Sequence, residues 1–443
     1  MADFGGTVNS STYSGREFKV YIGSDNGVGT LNASSATMYR LDIEGITLPT
    51  FSPNQEFEMR TGTGRVAEFG SMFSSSKGVT TEFSLSGRVT LQDLPILMEN
   101  VLAQEATNNN NKFEILTGYS PSTFKHGDST GATVFSKTLT VAFIAPTSTD
   151  SYAIPGCVCT NLQLSADMGT ASGRYDYSAT FSSRYKPVKN TFDVSSAQEL
   201  STTLGSTNMF LSDQSTKDMN VMDVAADVTL TSGSYSSGDA TITHASNTDV
   251  RVGQIVSSDG AGIPTGAYVA SVTSATEFEL SANATGSASG RTLTLVSDFT
   301  SINPIFNSFS LTIESPSIGL GSQGSDAEPE VFARAVPEMN ITVAGSLKYD
   351  TETDKLLEAH RDGAQTSFMQ MVLSNVAITS NLETLGSIAI PASDDQTFGV
   401  IIPKAKLISA SVGSGDVATL DFEAKVTDPG SNKIMHIATG DTN

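Results

Sequence analysis

VIIPKAKLISASVG, from Val400 to Gly413, is the stretch on which the reading of the fold turns. It places apolar residues, a proline and then an apolar–polar alternation in front of a glycine, which is the grammar of a strand. About 248 residues upstream, YAIPGCVCTNLQLSAD, from Tyr152 to Asp167, has the same shape. A strand written twice asks whether its surroundings are written twice as well.

Four blocks of the first half recur in order in the second. KVYIGSDN (Lys19 to Asn26) is echoed by NMFLSDQS (Asn208 to Ser215), and YRLDIEGITL (Tyr39 to Leu48) by FSLTIESPSI (Phe309 to Ile318). TEFSLSGRVTLQDLPILMENVL (Thr81 to Leu102) is matched by MNITVAGSLKYDTETDKLLEAH (Met339 to His360), each a strand running through a glycine into a helix. After the opening pair come YDYSATFSS (Tyr175 to Ser183) and LDFEAKVTD (Leu420 to Asp428), both alternating strands. Order and type agree although few residues are identical, as in an internal duplication.

The first helix is predicted to start with Asp93 as N-cap and Pro95 in its first turn. Leu94, Leu97, Met98, Val101 and Leu102 then form one apolar stripe. Its counterpart begins near Thr353, with Leu356, Leu357 and a partly buried His360 on a comparable face. One helix closing one barrel or sandwich is the natural packing for such a set.

Between blocks one and two the first half has about a dozen residues and the second about ninety. The excess holds Ala240 to Val296, which alternates throughout and turns at GAGIPTG and NATGSASG. It reads as a small all-β module inserted into a loop, where extension costs only logarithmically. Its His244 has no metal partner nearby in sequence. Two long polar, glycine-rich loops, Ser52 to Gly78 and Gly319 to Met339, fall at equivalent places and are expected to reach a neighbouring subunit.

Composition agrees with a mainly β chain of two or three domains. There are 443 residues, 38 of them glycine, and only 16% are charged, so much of the surface must be Ser, Thr and Asn. The balance of 25 Lys+Arg against 47 Asp+Glu, a net −22, repels phosphate and disfavours tight nucleic-acid binding. No basic–apolar leader opens the sequence, and no run of about 18 apolar residues exists to span a membrane. Cys157 and Cys159, the only cysteines, are i and i+2 on one strand face, poorly placed for a relaxed disulfide and suited to a small-hydrophobe role.

Catalytic chemistry is not legible. GTGRVA (Gly62 to Ala67) sits in no βαβ unit, so it is not a dinucleotide loop. His126, His244, His360 and His436 are scattered, and no HExxH, G-x-S-x-G or regular calcium loop is present. Asp42 with Glu44, and Asp421 with Glu423, are i, i+2 pairs on predicted strands, which reads as a solvated face rather than an acid–base pair. The chain is expected to be no enzyme and to need no cofactor or metal.

Taken together these residues resemble the major tail (tail tube) proteins of long-tailed bacteriophages. The likeness lies in FKVYIGS, in LDIEGITLP leading to a long loop, in FSLSGRVT plus helix, in YAIPGCVC and in YDYSATFSSRY. The second copy repeats it with LTIES, ITVAGSL plus helix, GVIIPKAKL and ATLDFEAKVTD. The insert, with GIPTGAYV and FELSANATG, resembles small β modules that decorate phage and bacterial surface proteins. The expected fold is mainly β: two tandem tail-tube-like β-barrel or sandwich domains, each with a flanking α-helix, plus a small all-β inserted domain. The expected boundaries are 1–190 for the first domain, 191–223 with 300–443 for the second, and 224–299 for the insert on the tube exterior.

The resemblance implies a virion protein, assembled in the host cytoplasm into stacked rings whose sheets merge into one inner wall. Two domains per chain imply homotrimeric rings with pseudo-six-fold symmetry. The implied partners are further copies, other tail proteins at the tube ends, and a tape measure protein and then genomic DNA in the lumen, without specific binding or membrane insertion. Candidate lumen or barrel-surface carboxylates are Asp42, Glu44, Glu314, Asp421 and Glu423. Candidate inter-ring residues are Arg60, Arg65, Glu68, Asp326, Glu328 and Arg334. The competing readings are a surface adhesin or decoration protein that binds through the insert, and the inner tube of a contractile injection system.

Overall fold

The computed structural model describes residues 17–25, 31–32, 38–57, 72–90, 93–102, 112–116, 138–146, 150–167, 175–183, 185, 187–189, 194, 197, 216–221, 228–247, 249–250, 254–296, 306–315, 317–320, 331–334, 339–361, 367–374, 397–427 and 433–440. The chain is mainly β with antiparallel sheets. In order come β1 (Lys19–Ser24), β2 (Tyr39–Arg40), β3 (Gly45–Phe57), β4 (Met72–Arg88), helix α1 (Asp93–Leu102), β5 (Lys112–Leu116), β6 (Leu139–Ile144), β7 (Tyr152–Asp167), β8 (Tyr175–Ser183) and β9 (Val188–Lys189). Next are β10 (Thr216–Val221), β11 (Val228–Tyr235), β12 (Thr241–Thr243), β13 (Ile255–Ser258), β14 (Val269–Ser274), β15 (Glu277–Leu280) and β16 (Ala288–Val296). The chain ends with β17 (Phe306–Glu314), β18 (Ser317–Leu320), β19 (Val331–Arg334), β20 (Asn340–Lys348), helix α2 (Thr351–Arg361), β21 (Ser367–Ser374), β22 (Thr397–Gly413), β23 (Thr419–Val426) and β24 (Lys433–Gly440).

Sixteen strands form one branched sheet. One run of pairings is β3–β4–β8–β7–β6–β1, and another is β17–β20–β23–β22–β21–β10. On the far side of the long strands, β9 pairs with β7 and β24 with β22. The runs meet where β7 pairs with β17, from Asn161 opposite Glu314 to Asp167 opposite Ser308. Among the described residues no pairing closes this path into a barrel.

β7 serves two layers. Its first half pairs with β6 and its second with β8, and between them Gly156 has a φ of +67°, Tyr185 lies against it, and Thr160 is unpaired in a bulge. A Cβ at Gly156 would lie 2.2 Å from the Tyr185 ring, so only glycine fits both the dihedral and the space. The two layers face each other: Phe83 on β4 meets Phe143 on β6 edge-on at 5.4 Å and stacks on Phe181 of β8 at 5.3 Å. That is sandwich packing, with the stripe Leu94, Leu97, Met98, Val101 and Leu102 of α1 buried in the same core. Leu162 and Leu164 join Leu311 and Ile313 in that core across the β7–β17 seam.

The α1 cap differs from the sequence expectation, whereas α2 begins at Thr351, near the expected Thr353. Thr90, not Asp93, caps α1: its Oγ1 accepts the Asp93 N–H at 3.0 Å and its carbonyl accepts from Leu94. α2 starts from Asp350, which exchanges hydrogen bonds with Thr353 in a reciprocal capping box. His360 is half-buried on α2, as expected.

The two supposed loops are also corrected. β3 runs to Phe57 and pairs with the start of β4, Phe57 opposite Met72, while β18 and β19 form a two-stranded ribbon. Polar and glycine-rich composition points to loops in both places, but pairing with a neighbouring strand makes strands of 52–57, 72–78, 319–320 and 331–334; the rest of both segments, apart from Met339, lies outside the described residues. The proposed echo of the first strand at 208–215 lies outside the described residues; β10 occupies the corresponding pairing position.

β11 to β16 form a separate six-stranded sheet, ordered β13-β16-β11-β12-β15-β14, with its own core around Leu230, Ile242, Phe278 and Leu293. Both expected turns are present, with positive-φ glycines at Gly262 and Gly266 in the first and Gly290 at the end of the second, where β16 has begun. His244 is buried against Phe278, its Nδ1 2.7 Å from the Ala245 carbonyl.

Candidate functional site

The strands around the β7–β17 seam bury every second side chain and turn the others to one polar face. On β17, Phe309, Leu311 and Ile313 face the core while Ser308, Ser310, Thr312 and Glu314 do not. The registers carry this parity across the seam in continuous rows. One row runs Ser84, Thr180, Asn161, Glu314, Asn340. The next runs Ser86, Ser178, Gln163, Thr312, Thr342, Lys425. A third runs Arg88, Asp176, Ser165, Ser310, Ala344, Glu423, Ser409. This face is therefore built mainly from hydroxyls and amides, with sparse charges of both signs.

A shallow depression of about 560 Å³ lies on this face, lined among others by Ser165, Asp167, Asp176, Ser310, Asp421 and Glu423. Asp421 and Glu423 are both exposed on β23, as the sequence expected, and Glu314 joins them on β17, accepting from Asn340 Nδ2 at 3.0 Å. Arg88, Lys348, Lys406 and Lys425 share the face, so the chain's large negative charge is not concentrated there. Among the described residues no three His, Cys, Asp or Glu side chains are grouped to hold a metal ion. No helix among them is long and apolar enough to cross a membrane.

Asp42 and Glu44 are not on a strand, because β2 stops at Arg40 and β3 starts at Gly45. The backbone there bends so that the Asp42 carbonyl comes against Gly87; a Cβ at Gly87 would lie 1.9 Å from that oxygen. Glu44 turns outward and meets Arg88 Nε at 2.9 Å. Asp42 is half-buried and holds the fold through its backbone: its N–H donates to Asp93 Oδ2 at 3.2 Å and its carbonyl accepts from the Tyr177 hydroxyl at 3.2 Å.

Asp93 is fully buried, and its Oδ1 has no hydrogen-bond partner. Burial pushes its pKa up to about 7, against the opposing hydrogen bonds from Asp42 and Thr90. Burial also raises the Asp42 carboxyl, opposed by Arg88, and lifts the Tyr177 hydroxyl well above its ordinary value. Sequence reading missed this cluster because it took Asp93 for a cap.

A second unforeseen cluster sits at the bend of β7. Asp25 accepts hydrogen bonds from the hydroxyls of Thr138 and Thr140 and from the Gly156 N–H, tying β1, β6 and β7 together. The alternating Thr138 and Thr140 beside an acid just after β1 were the available signal. Cys157 and Cys159 are buried and form no disulfide, as expected, and burial raises the Cys157 thiol with Asp25 adding to it.

Of the inter-ring candidates, Arg60, Arg65, Glu68, Asp326 and Glu328 lie outside the described residues. Arg334 ends β19, opposite Ser317. No protein-family model and no curated protein matches this chain.

Proposed function

We propose that the protein is a structural subunit that assembles into stacked rings to form a tail tube, the conduit through which phage DNA passes. One observation carries the reading: two runs of strands with the same succession of partners are fused edge to edge at β7–β17, with an unbroken polar face across the join. On this reading the chain is two copies of one domain, 1–190 and 191–223 with 300–443, and each supplies a neighbouring segment of the same wall. Three chains then complete a six-part ring. The module at 224–299 decorates the tube exterior, consistent with its separate sheet and core.

The chemistry of the polar face fits a conduit. Duplex DNA is held by arrays of cations that replace its counterions. A wall of Ser, Thr, Asn and Gln with few, mixed charges gives a polyanion little to grip. Merging the sheets also pairs strand edges that would otherwise invite aggregation. Asp421, Glu423 and Glu314 are the lumen-facing carboxylates on this reading.

Negative-stain electron microscopy of the concentrated, purified protein tests the proposal. Hollow rings or tubes are the expected result. Uniform single particles at every concentration would instead favour an adhesin or decoration protein.

A further inference from the structure

The β7–β17 seam has an empty counterpart. Pro155 and Pro403 align β7 with β22, and the unpaired bulge residues, Thr160 and Ile408, then coincide. Beyond the bulge β7 pairs with β8 on one side and β17 on the other. Beyond its bulge β22 pairs with β23 on one side, and among the described strands nothing pairs with its other edge. β3 stands in the place of β17: β17 is bound to β20 as β3 is to β4, but β3 has no second neighbour among the described strands.

Exposure marks the same gap. Leu164 on β7 is 2% exposed because Leu311 of β17 lies opposite it. Val412, at the corresponding position of β22, is 42% exposed. Ile408 and Val417, on the same hairpin, are 49% and 66% exposed. Three of the five exposed large apolar residues among those described thus lie on the β22–β23 hairpin, Val412 on the unmated edge itself.

We propose that this edge, from Ser411 to Gly415, is the docking site for β3 of a second copy of the chain, from Gly45 to Pro49. The inference rests on reading the two runs as copies and deepens the ring proposal by naming the joint. The pairings fix the register, seven residues away from the alignment of YRLDIEGITL with FSLTIESPSI: Thr47 follows Ser84 and Thr180 in one row as Ser310 follows Ala344 and Glu423 in another, so Ser165 opposite Ser310 becomes Gly413 opposite Thr47, and Leu164 opposite Leu311 becomes Val412 opposite Leu48. Pro49, which has no N–H to donate, ends the ladder. Because each chain offers one β22 edge and one β3 edge, the contact is head-to-tail and propagates until a ring closes.

Cysteine cross-linking of the full chain tests this. Thr47→Cys and Gly413→Cys in one chain, oxidised after assembly, should give covalent dimers and closed higher species on a non-reducing gel. Mixing the two single variants should give dimers only. The native cysteines, fully buried, provide the background in the unmodified protein. Rings that cross-link through Thr47→Cys with Lys406→Cys, but not with Gly413→Cys, would overturn the register while leaving the tube reading intact. A chain that stays monomeric would overturn both. As a second measurement, Val412→Asp should abolish ring formation while leaving the melting temperature of the unassembled chain unchanged; a Val412→Asp chain that assembles like the parent would refute the joint.

Discussion

Thr160 and Ile408 are the unpaired residues of two β-bulges, each five residues beyond a proline, Pro155 and Pro403. A bulge resets which face the following residues present. Deleting Thr160 should therefore swing Asn161, Gln163 and Ser165 into the core and Leu162 and Leu164 out of it. Burying three unpaired amides and hydroxyls costs about 3–9 kcal/mol, and exposing the two leucines adds about 1.5–3 kcal/mol each, a total comparable with the whole stability of a typical domain. Expression of the deletion variant should give insoluble or unfolded protein by circular dichroism. A deletion variant melting within a few degrees of the parent would show that the bulge does not set the register.

Asp93 gives a pH signature with a definite sign. Its pKa is raised in the fold to about 7 from the ordinary 3.8, so the folded state holds the proton more tightly than the unfolded chain. The associated stability is present below about pH 4 and is lost as pH rises through about 7. Between pH 5 and 8 this group alone should cost on the order of 2–3 kcal/mol. Asp93→Asn keeps an acceptor for the Asp42 N–H and cannot ionise, so its urea unfolding free energy should fall less than the parent's over that range. Equal pH slopes for variant and parent would rule out Asp93 as the titrating group.

The strands with strict alternation were legible in the sequence, because period-2 burial is written directly in the residues, and YAIPGCVC and VIIPKAKL both fall on strands. The insert was legible because its turns carry positive-φ glycines. Less legible was anything set by tertiary contact. Asp93 looked like a cap because Asp is a good one, but Thr90 three residues earlier took the role and left the acid to bond the Asp42 backbone. Asp42 and Glu44 alternate like strand residues, but the strand is interrupted between Arg40 and Gly45, where the Asp42 backbone closes on Gly87. The β7–β17 seam joins segments about 150 residues apart, and no local pattern encodes which edge meets which.

The inserted sheet should fold alone. It has its own strand order and a core that includes Leu230, Ile242, Val269, Phe278, Leu280, Leu293 and Leu295. A fragment spanning residues 224–299 is expected to melt cooperatively and reversibly with a β-type circular dichroism spectrum. The remaining chain, with those residues replaced by a short Gly/Ser linker, should keep its own transition. A random-coil fragment would mean that the module depends on the rest of the chain.

The polar face should tolerate charge without loss of fold, since Ser178 and Ser310 point away from the core. Ser178→Arg with Ser310→Arg is expected to leave the melting temperature within a few degrees of the parent. On the tube reading, assembled variant particles should gain salt-sensitive binding of short duplex DNA, because each ring repeats the added cations around the bore. Assembled variant particles that bind no more DNA than the parent would place this face away from the lumen.

Native mass spectrometry of intact rings tests the central claim most directly. If each chain contributes two segments of a six-part wall, the ring mass is three times the 46.4 kDa chain mass. A ring of six chains would mean that only one segment per chain lines the wall, and would contradict the account.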